Sequence, residues 1–433
     1  VYKRLLIDQF PEEEKAIVKI FKRIHMILKY MDVLYGIDNP MIVDLKKHPS
    51  YVYKTLLPWF FRFVPTLFKI ERLNLPVEHY LKRFTQHQPL IDLIAQHFFK
   101  DTPTFFALGY FSIYFDYRYP KGGTGSLPKA LENYIMTHGG TIQLNTKIVQ
   151  TNVDKRQLTD DQGNIYNYHK LIWASDYKQL YNSIDTQSIE RQKLAQHVKK
   201  HQTLIASKKG AESVLSIYAM VDLDPSYFHE ISTGHFFYTP SAQGLSGFPL
   251  LSTETLNEMM PSLTAHLDHQ TYEISIPALR DSSLAPKGQT ALIISILMDY
   301  DIIKKIEFYG YYEAFKTFVT NYIIELMSRS IYPSLQSHLL EAFCSTPLTF
   351  EKRNGSSEGA IIGWSFQNKP IPVKHRMFQI TKSIHTKLPN IYIAGQWSFS
   401  PAGVPISVIT GKLAADKIHK KLKKKRFKGG IYA

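Results

Sequence analysis

The stretch from residue 389 to 418 constrains the fold more than any other part of the chain. It runs Pro389-Asn-Ile-Tyr-Ile-Ala-Gly395-Gln-Trp-Ser-Phe-Ser-Pro-Ala-Gly403-Val-Pro405 and continues Ile-Ser-Val-Ile-Thr-Gly411-Lys-Leu-Ala-Ala415-Asp-Lys-Ile418. An apolar run over Asn390 to Ala394 reads as a buried strand that stops at a glycine. A loop then leads into a helix from about Pro405 to Lys420, with proline at the first position, where its missing N–H costs nothing. Gly395 and Gly403 let the backbone come close to a flat ligand. The start of the helix presents unpaired N–H groups and a partial positive charge, which suit an anion or an electron-rich ring edge. Gly411, Ala414 and Ala415 give the helix a small face for packing on a sheet.

Around Tyr119 the texture of the chain changes. Up to about Lys100 apolar residues recur at helical spacing, as at Ile17, Ile20 and Ile24, with prolines dividing the run into several helices. Tyr119-Pro-Lys-Gly122-Gly123-Thr-Gly125-Ser-Leu-Pro128 is a glycine-rich turn into a helix, Leu127 to Thr137, closed by Gly139-Gly140. It is not a dinucleotide fingerprint, because no third glycine follows at the needed spacing. Alternation predicts strands at Thr141–Asn145, Ile148–Val153 and Lys170–Ala174, with a turn at Asp161–Asn164. Further strands fit Val214–Val221, Phe236–Thr239, Tyr272–Pro277 and Ala291–Met298, spaced as in an antiparallel sheet. Tyr311 to Ser328 returns to helical spacing.

The chain has 433 residues, a formal charge of +15 and one cysteine. A single cysteine, Cys344, excludes a disulfide framework and a Cys-rich zinc site, and fits a reducing, cytoplasmic setting. The basic excess suggests an anionic partner, and part of it lies in Lys420, Lys421, Lys423, Lys424, Lys425, Arg426 and Lys428. That run reads as a solvated, disordered terminus or as a contact for anionic headgroups. Leu56 to Ile70 is too short and too interrupted to span a membrane, yet it mixes Trp59, Phe60, Phe61, Phe63 and Phe68 with bases. Such a mixture fits an interfacial segment, a helical pair packed on the body of the protein, or both. No Ser/His/Asp arrangement, His/Glu zinc motif or phosphate loop appears, so no catalytic side chain is assigned. Asp116 and Lys121 flank the glycine turn and are the nearest candidates.

The 389–418 stretch resembles the carboxy-terminal flavin motif of the phytoene desaturase, carotenoid isomerase and retinol saturase group. In that group a strand ending in Ala-Gly is followed by Gly-Val-Pro and a Ser/Thr-Gly-x-x-Ala-Ala helix. Tyr119 to Leu127 resembles the segment that opens the second half of the group's FAD domain. Ile148 stands where relatives place a valine whose backbone meets adenine, and Trp173-Ala174-Ser175-Asp176 stands where relatives write Asn-Ala-Asp. Asp281 to Gly288 and Thr346 to Trp364 resemble scaffold stretches of the same group. Gln396 departs from the acidic residue that many relatives carry there, so a carboxylate contact to the cofactor is not implied.

The resemblance implies an α/β fold: a discontinuous Rossmann-like FAD-binding domain, its first βαβ unit absent, beside a substrate domain of antiparallel sheet and helices. The implied boundaries are 1–115 for a helical cap, 116–200 for part of the FAD domain and 201–350 for the substrate domain. The segment 351–420 would be the carboxy-terminal FAD segment and 421–433 a basic tail. Gly122, Gly123, Ile148, Ala174, Gly395, Gln396, Gly403, Val404 and Pro405 would contact FAD. No Gly-x-Gly-x-x-Gly spacing occurs among the 22 glycines, so the unit holding the FAD diphosphate is expected upstream of Val1, and the chain reads as truncated. The implied activity is flavin-dependent desaturation, saturation or isomerisation of carbon–carbon bonds in an apolar isoprenoid, with peripheral membrane contact and no nucleic acid partner. A flavin amine oxidase on the same scaffold and a non-catalytic lipid-binding remnant are the competing readings.

Overall fold

The computed structural model describes residues 1–433 except 39, 41, 42, 44, 116, 117 and 430–433. Among the described residues the strands are β1 (Ile148–Asn152), β2 (Gln157–Asp160), β3 (Ile165–Asn167), β4 (Leu171–Trp173) and β5 (Ser213–Val221). They continue with β6 (His235–Tyr238), β7 (Tyr272–Ser275), β8 (Thr290–Met298), β9 (Leu339–Ser345) and β10 (Ile391–Ile393). The helices that matter here are α1 (Glu14–Tyr35), α2 (Leu57–Glu71), α3 (Ser126–Thr137) and α4 (Gln192–Ala206). To these are added α5 (Leu256–His269), α6 (Tyr312–Ser330) and α7 (Val404–Gly429). The chain divides into two units, Val1–Thr141 with Glu212–Phe350, and Ile142–Ala211 with Glu351–Ala433.

In the first unit β6-β7-β8-β5-β9 form one antiparallel sheet. Strict alternation along β8 buries Leu292, Ile294, Ile296 and Met298 on one face, the first three opposite Ala219, Ile217 and Leu215 of β5. The same core takes in Met259, Leu263 and Leu267 of α5, together with Phe315, Val319 and Ile323 of α6. These four-residue steps place one stripe of each helix in the core. Truncating a leucine or isoleucine here to alanine costs about 2–5 kcal/mol. A second core holds Ile17, Ile20, Ile24 and Ile27 of α1 with Val77, Leu81, Leu90 and Ile94. β9 escaped the sequence reading, because its exposed Leu340 and Phe343 blur the alternation.

In the second unit β1-β2-β3 make an antiparallel meander, while β4 and β10 pair in parallel, Ile391 with Leu171 and Ile393 with Trp173. Its core joins Trp173, Tyr177, Tyr181 and Val198 to Trp364, Ile391, Ile393 and Trp397.

Three expectations change. Thr141 to Asn145 is not a strand, since among the described residues no neighbouring strand supplies a ladder for its backbone groups. The basic run does not leave the helix as a tail, because the α7 backbone continues to Gly429. On the small face of α7, Ala414 is buried but Ala415 is exposed. The described residues among 116–141 group with the first unit. No described helix is long and apolar enough to cross a membrane.

Candidate functional site

The second unit brings the ends of its two parallel strands together. Ala394 N–H donates to the Trp173 carbonyl at 3.0 Å, which carries the β4–β10 pairing up to Ala174 and Gly395. Gly395 has φ +85°, and a Cβ added there would stand 3.3 Å from the Ala174 carbonyl oxygen. The turn therefore needs glycine both for its left-handed backbone and for the close approach. Gly395 N–H donates to Thr410 Oγ at 3.0 Å, and the buried Thr410 hydroxyl donates in turn to Ile406 O at 2.7 Å. The loop out of β10 is thereby tied to the second turn of α7. Ser398 Oγ donates back to Gly395 O at 2.7 Å and narrows the loop further.

A second glycine supports the loop from beneath. Gly363 has φ +80°, and a Cβ there would lie 2.4 Å from the Gln396 carbonyl oxygen. The neighbouring Trp364 indole donates to Trp397 O at 3.2 Å, and the two rings meet edge to face at 4.9 Å. Gln396 is thus positioned from below by backbone contact. At the start of α7, Gly403 has φ +149°, while Val404 and Pro405 are exposed. Ala394 to Pro405 contains no titratable side chain. This arrangement can hold a flat ligand with backbone groups and a helix start, but its own side chains offer no titratable group.

Beside the end of β4 lies a cavity of about 980 Å³ lined in part by Asn145, Ile148, Ala174, Ser175, Gln179 and Arg353. Ile148 opens β1, half-buried, opposite Asp160. Asp176 follows the strand end and caps the next helix by accepting from Lys178 N–H and Gln179 N–H, and it also accepts from Ser357 N–H at 2.6 Å. Burial pushes its carboxyl up, and these hydrogen bonds oppose the shift. The buried Lys178 ammonium pairs with Glu358, whose other oxygen accepts from Gly210 N–H at 2.7 Å.

Gly122 and Gly123 belong to the first unit. Both have positive φ, and Gly122 N–H donates to Asp281 Oδ2 at 2.6 Å. That backbone hydrogen bond holds the Asp281 carboxyl below its ordinary range. The two turns singled out in the sequence, at 119–128 and 281–288, are therefore clasped together. Lys121 is exposed beside the glycine turn, and Asp116 lies outside the described residues.

Of the anticipated ligand-contacting residues, Ala174 and Gly395 meet, Ile148 and Ala174 line one cavity, and Gln396 through Pro405 form the adjoining loop and helix start. Sequence reasoning missed Thr410 and the roles of Gly363 and Trp364 under the loop. A threonine inside a helix one turn past a Gly-Val-Pro start was the available signal.

Were a flavin bound as the resemblance implies, Gly395, Val404 and Pro405 would lie along its ring and Ile148 near its adenine. The diphosphate has no Gly-x-Gly-x-x-Gly loop to receive it among the 433 residues.

No family model matches the chain. It is similar to 4,4'-diapophytoene desaturase (4,4'-diaponeurosporene-forming) of Staphylococcus aureus strain MRSA252, 22% identical over 312 residues, covering 71% of this chain and 57% of that protein. The counterpart from strain Newman is 21% identical over 316 residues, covering 72% and 58%. The chain thus spans under three fifths of these curated relatives. In fold it is similar to an oxidoreductase from Methanosarcina mazei, with a TM-score of 0.51 and 14% identity over 87% of this chain and 75% of that one. Putrescine oxidase bound to putrescine gives a TM-score of 0.52 and 11% identity over 94% and 76%. The sequence likeness to the diapophytoene desaturases and the fold shared with the Methanosarcina mazei oxidoreductase and putrescine oxidase agree with the resemblance drawn at the outset.

Proposed function

We propose that the chain forms the substrate domain and part of the FAD domain of an oxidoreductase acting on carbon–carbon bonds of an apolar isoprenoid or polyene. The observation that carries this reading is the join of Ala174 to Gly395, with the loop to Gly403 and Pro405 tied back by Thr410. This join of backbone groups bears no titratable side chain, so the redox chemistry falls to the cofactor. Bound FAD would accept or return the hydride, or promote isomerisation. The residues of the second unit hold its ring by backbone contact and keep Gln396 in place through Gly363. A polyene is favoured over an amine by the sequence likeness to diapophytoene desaturases, since the likeness to putrescine oxidase lies in fold and a shared fold leaves substrate open.

Peripheral contact with a membrane belongs to the same reading, because such a substrate partitions into lipid. α2 supports it. Thr66 and Ile70 are buried, and Trp59 stacks on Phe63 at 4.1 Å, whereas Leu57, Phe60, Phe61 and Phe68 are exposed. Leu57, Phe61, Pro65 and Phe68 follow one another at steps of four, four and three, which makes one outward apolar stripe. One face of α2 therefore packs inward and the other is apolar and exposed, which supports the proposed contact.

The test is an FAD titration followed by flavin fluorescence and visible absorption. It is run on this chain and on one that includes whatever its gene encodes upstream of Val1. Tight binding by the extended chain, weakened by Gly395→Val, is the expected result. No binding by either chain overturns the oxidoreductase reading.

A further inference from the structure

Next to the apolar stripe of α2 is a cavity of about 550 Å³ that the reading above does not use. Its lining includes Lys29 and Asp32 of α1, Lys54, and Pro58, Trp59 and Arg62 of α2. Three cations face one carboxylate. Among the described residues no ion pair engages Lys29, Lys54 or Arg62. All three are exposed, so their charges are kept in water at little cost.

The backbone around the cavity is built to present them. Val52 to Leu56 forms a π-helical turn, a rare geometry often found at functional sites, and it carries Lys54 and Thr55 into the lining. The Trp59 indole donates to Val33 O at 2.5 Å and pins α2 to the end of α1. Pro58 and Arg62 stand one residue past Leu57 and Phe61, about 100° further round the helix. The basic cavity therefore flanks the apolar stripe on the same helix. A phosphate that sits beside acyl chains complements this charge and placement.

We infer that this cavity binds the phosphodiester headgroup of an anionic glycerophospholipid, while the α2 stripe inserts among the acyl chains. The inference rests on the peripheral membrane contact proposed above. Arg62 would give the directed contact, because a guanidinium matches two phosphate oxygens at once. Lys29 and Lys54 add charge, and Trp59 sits at headgroup depth.

Vesicle flotation of the full chain tests it, with vesicles of phosphatidylcholine alone or mixed with phosphatidylglycerol. The wild type is expected to prefer the mixed vesicles. Arg62→Gln and Lys54→Gln together should lower partitioning onto mixed vesicles about thirtyfold, at about 1 kcal/mol per removed charge. Lys69→Gln is the matched control: same helix, same charge change, exposed, but outside the cavity. Arg62→Gln should cost more than Lys69→Gln and should erase most of the preference. Equal losses for the two, or none, would mean a diffuse surface field and overturn the cavity. Equal binding of the wild type to both vesicle types would also overturn it while leaving membrane contact standing. No binding to either vesicle would sink both. Unchanged circular dichroism confirms that the exposed substitutions leave the fold intact.

Discussion

Replacing Gly363 by alanine perturbs the candidate site without substituting any of the residues expected to contact the ligand. The backbone there has φ +80°, and moving a residue with a Cβ into that region costs about 1–2 kcal/mol. The added methyl would lie 2.4 Å from the Gln396 carbonyl oxygen, about 1 Å inside ordinary contact. Because the obstacle is backbone, the loop itself must shift, and overpacking of this kind costs about 1–3 kcal/mol more. Gly355→Ala is the control, since Gly355 also has positive φ, +64°, but no atom lies within 4 Å of the added Cβ. It should lose the backbone part alone, about 1 kcal/mol. Urea unfolding followed by tryptophan fluorescence reads the difference, because three of the four tryptophans, Trp173, Trp364 and Trp397, lie in the second unit. With a slope of about 1–3 kcal/mol per molar urea, the Gly363→Ala midpoint should fall about 1 M below that of Gly355→Ala. Its FAD affinity should fall as well. Equal midpoints for the two variants would refute the claim that Gly363 supports the Gln396 loop.

Thr410→Val keeps the side-chain shape but leaves Gly395 N–H without its acceptor, a loss of about 1–3 kcal/mol. Thermal unfolding should show a lower Tm, by about 2–4 °C for each kcal/mol, and Thr410→Ser should restore most of it. His201 gives a pH dependence. Burial first, and then the charges of His197 and Lys387, hold its imidazole down to about 4, and its Nε2 lies 2.9 Å from the Tyr177 hydroxyl. The unfolded chain takes up a proton at about 6.5 while the folded one does not. Its contribution is therefore complete above pH 6.5, declines as the pH falls, and is gone below about 4. Subtracting the stability curve of His201→Gln from that of the wild type should leave a slope confined to this window. A flat difference would show that His201 is not held neutral by the fold.

Much of the architecture could be read locally. β5, β7 and β8 appear as short runs rich in β-branched, aromatic and other apolar residues, bounded by turn residues. Gly139-Gly140 closes α3 because a helix needs a left-handed residue to turn its last carbonyls: Gly139 has φ +78°, and Gly140 N–H reaches Ile135 O at 2.9 Å. The Gly395 and Gly403 stretch announced itself for the same reason, as a backbone demand that few residues meet.

Other features depended on partners far away in the chain. Thr141 to Asn145 alternates like a strand but needs a neighbour to become one, and a ladder is a property of two segments. That Gly122 would be gripped by Asp281, that Gly363 would lie under Gln396, and that Thr410 would hold Gly395 required the folded positions of residues 159, 33 and 15 apart. The sequence by itself determined many of the strand and helix identities, though not β9 or the fate of Thr141 to Asn145, and the backbone-only character of the candidate cofactor loop. Only the tertiary structure decided which face of α2 looks outward and that three bases from two helices and a π turn share one cavity. Local periodicity records how a segment divides between core and water, while the choice of neighbours is made when separate segments compete to bury the same surface.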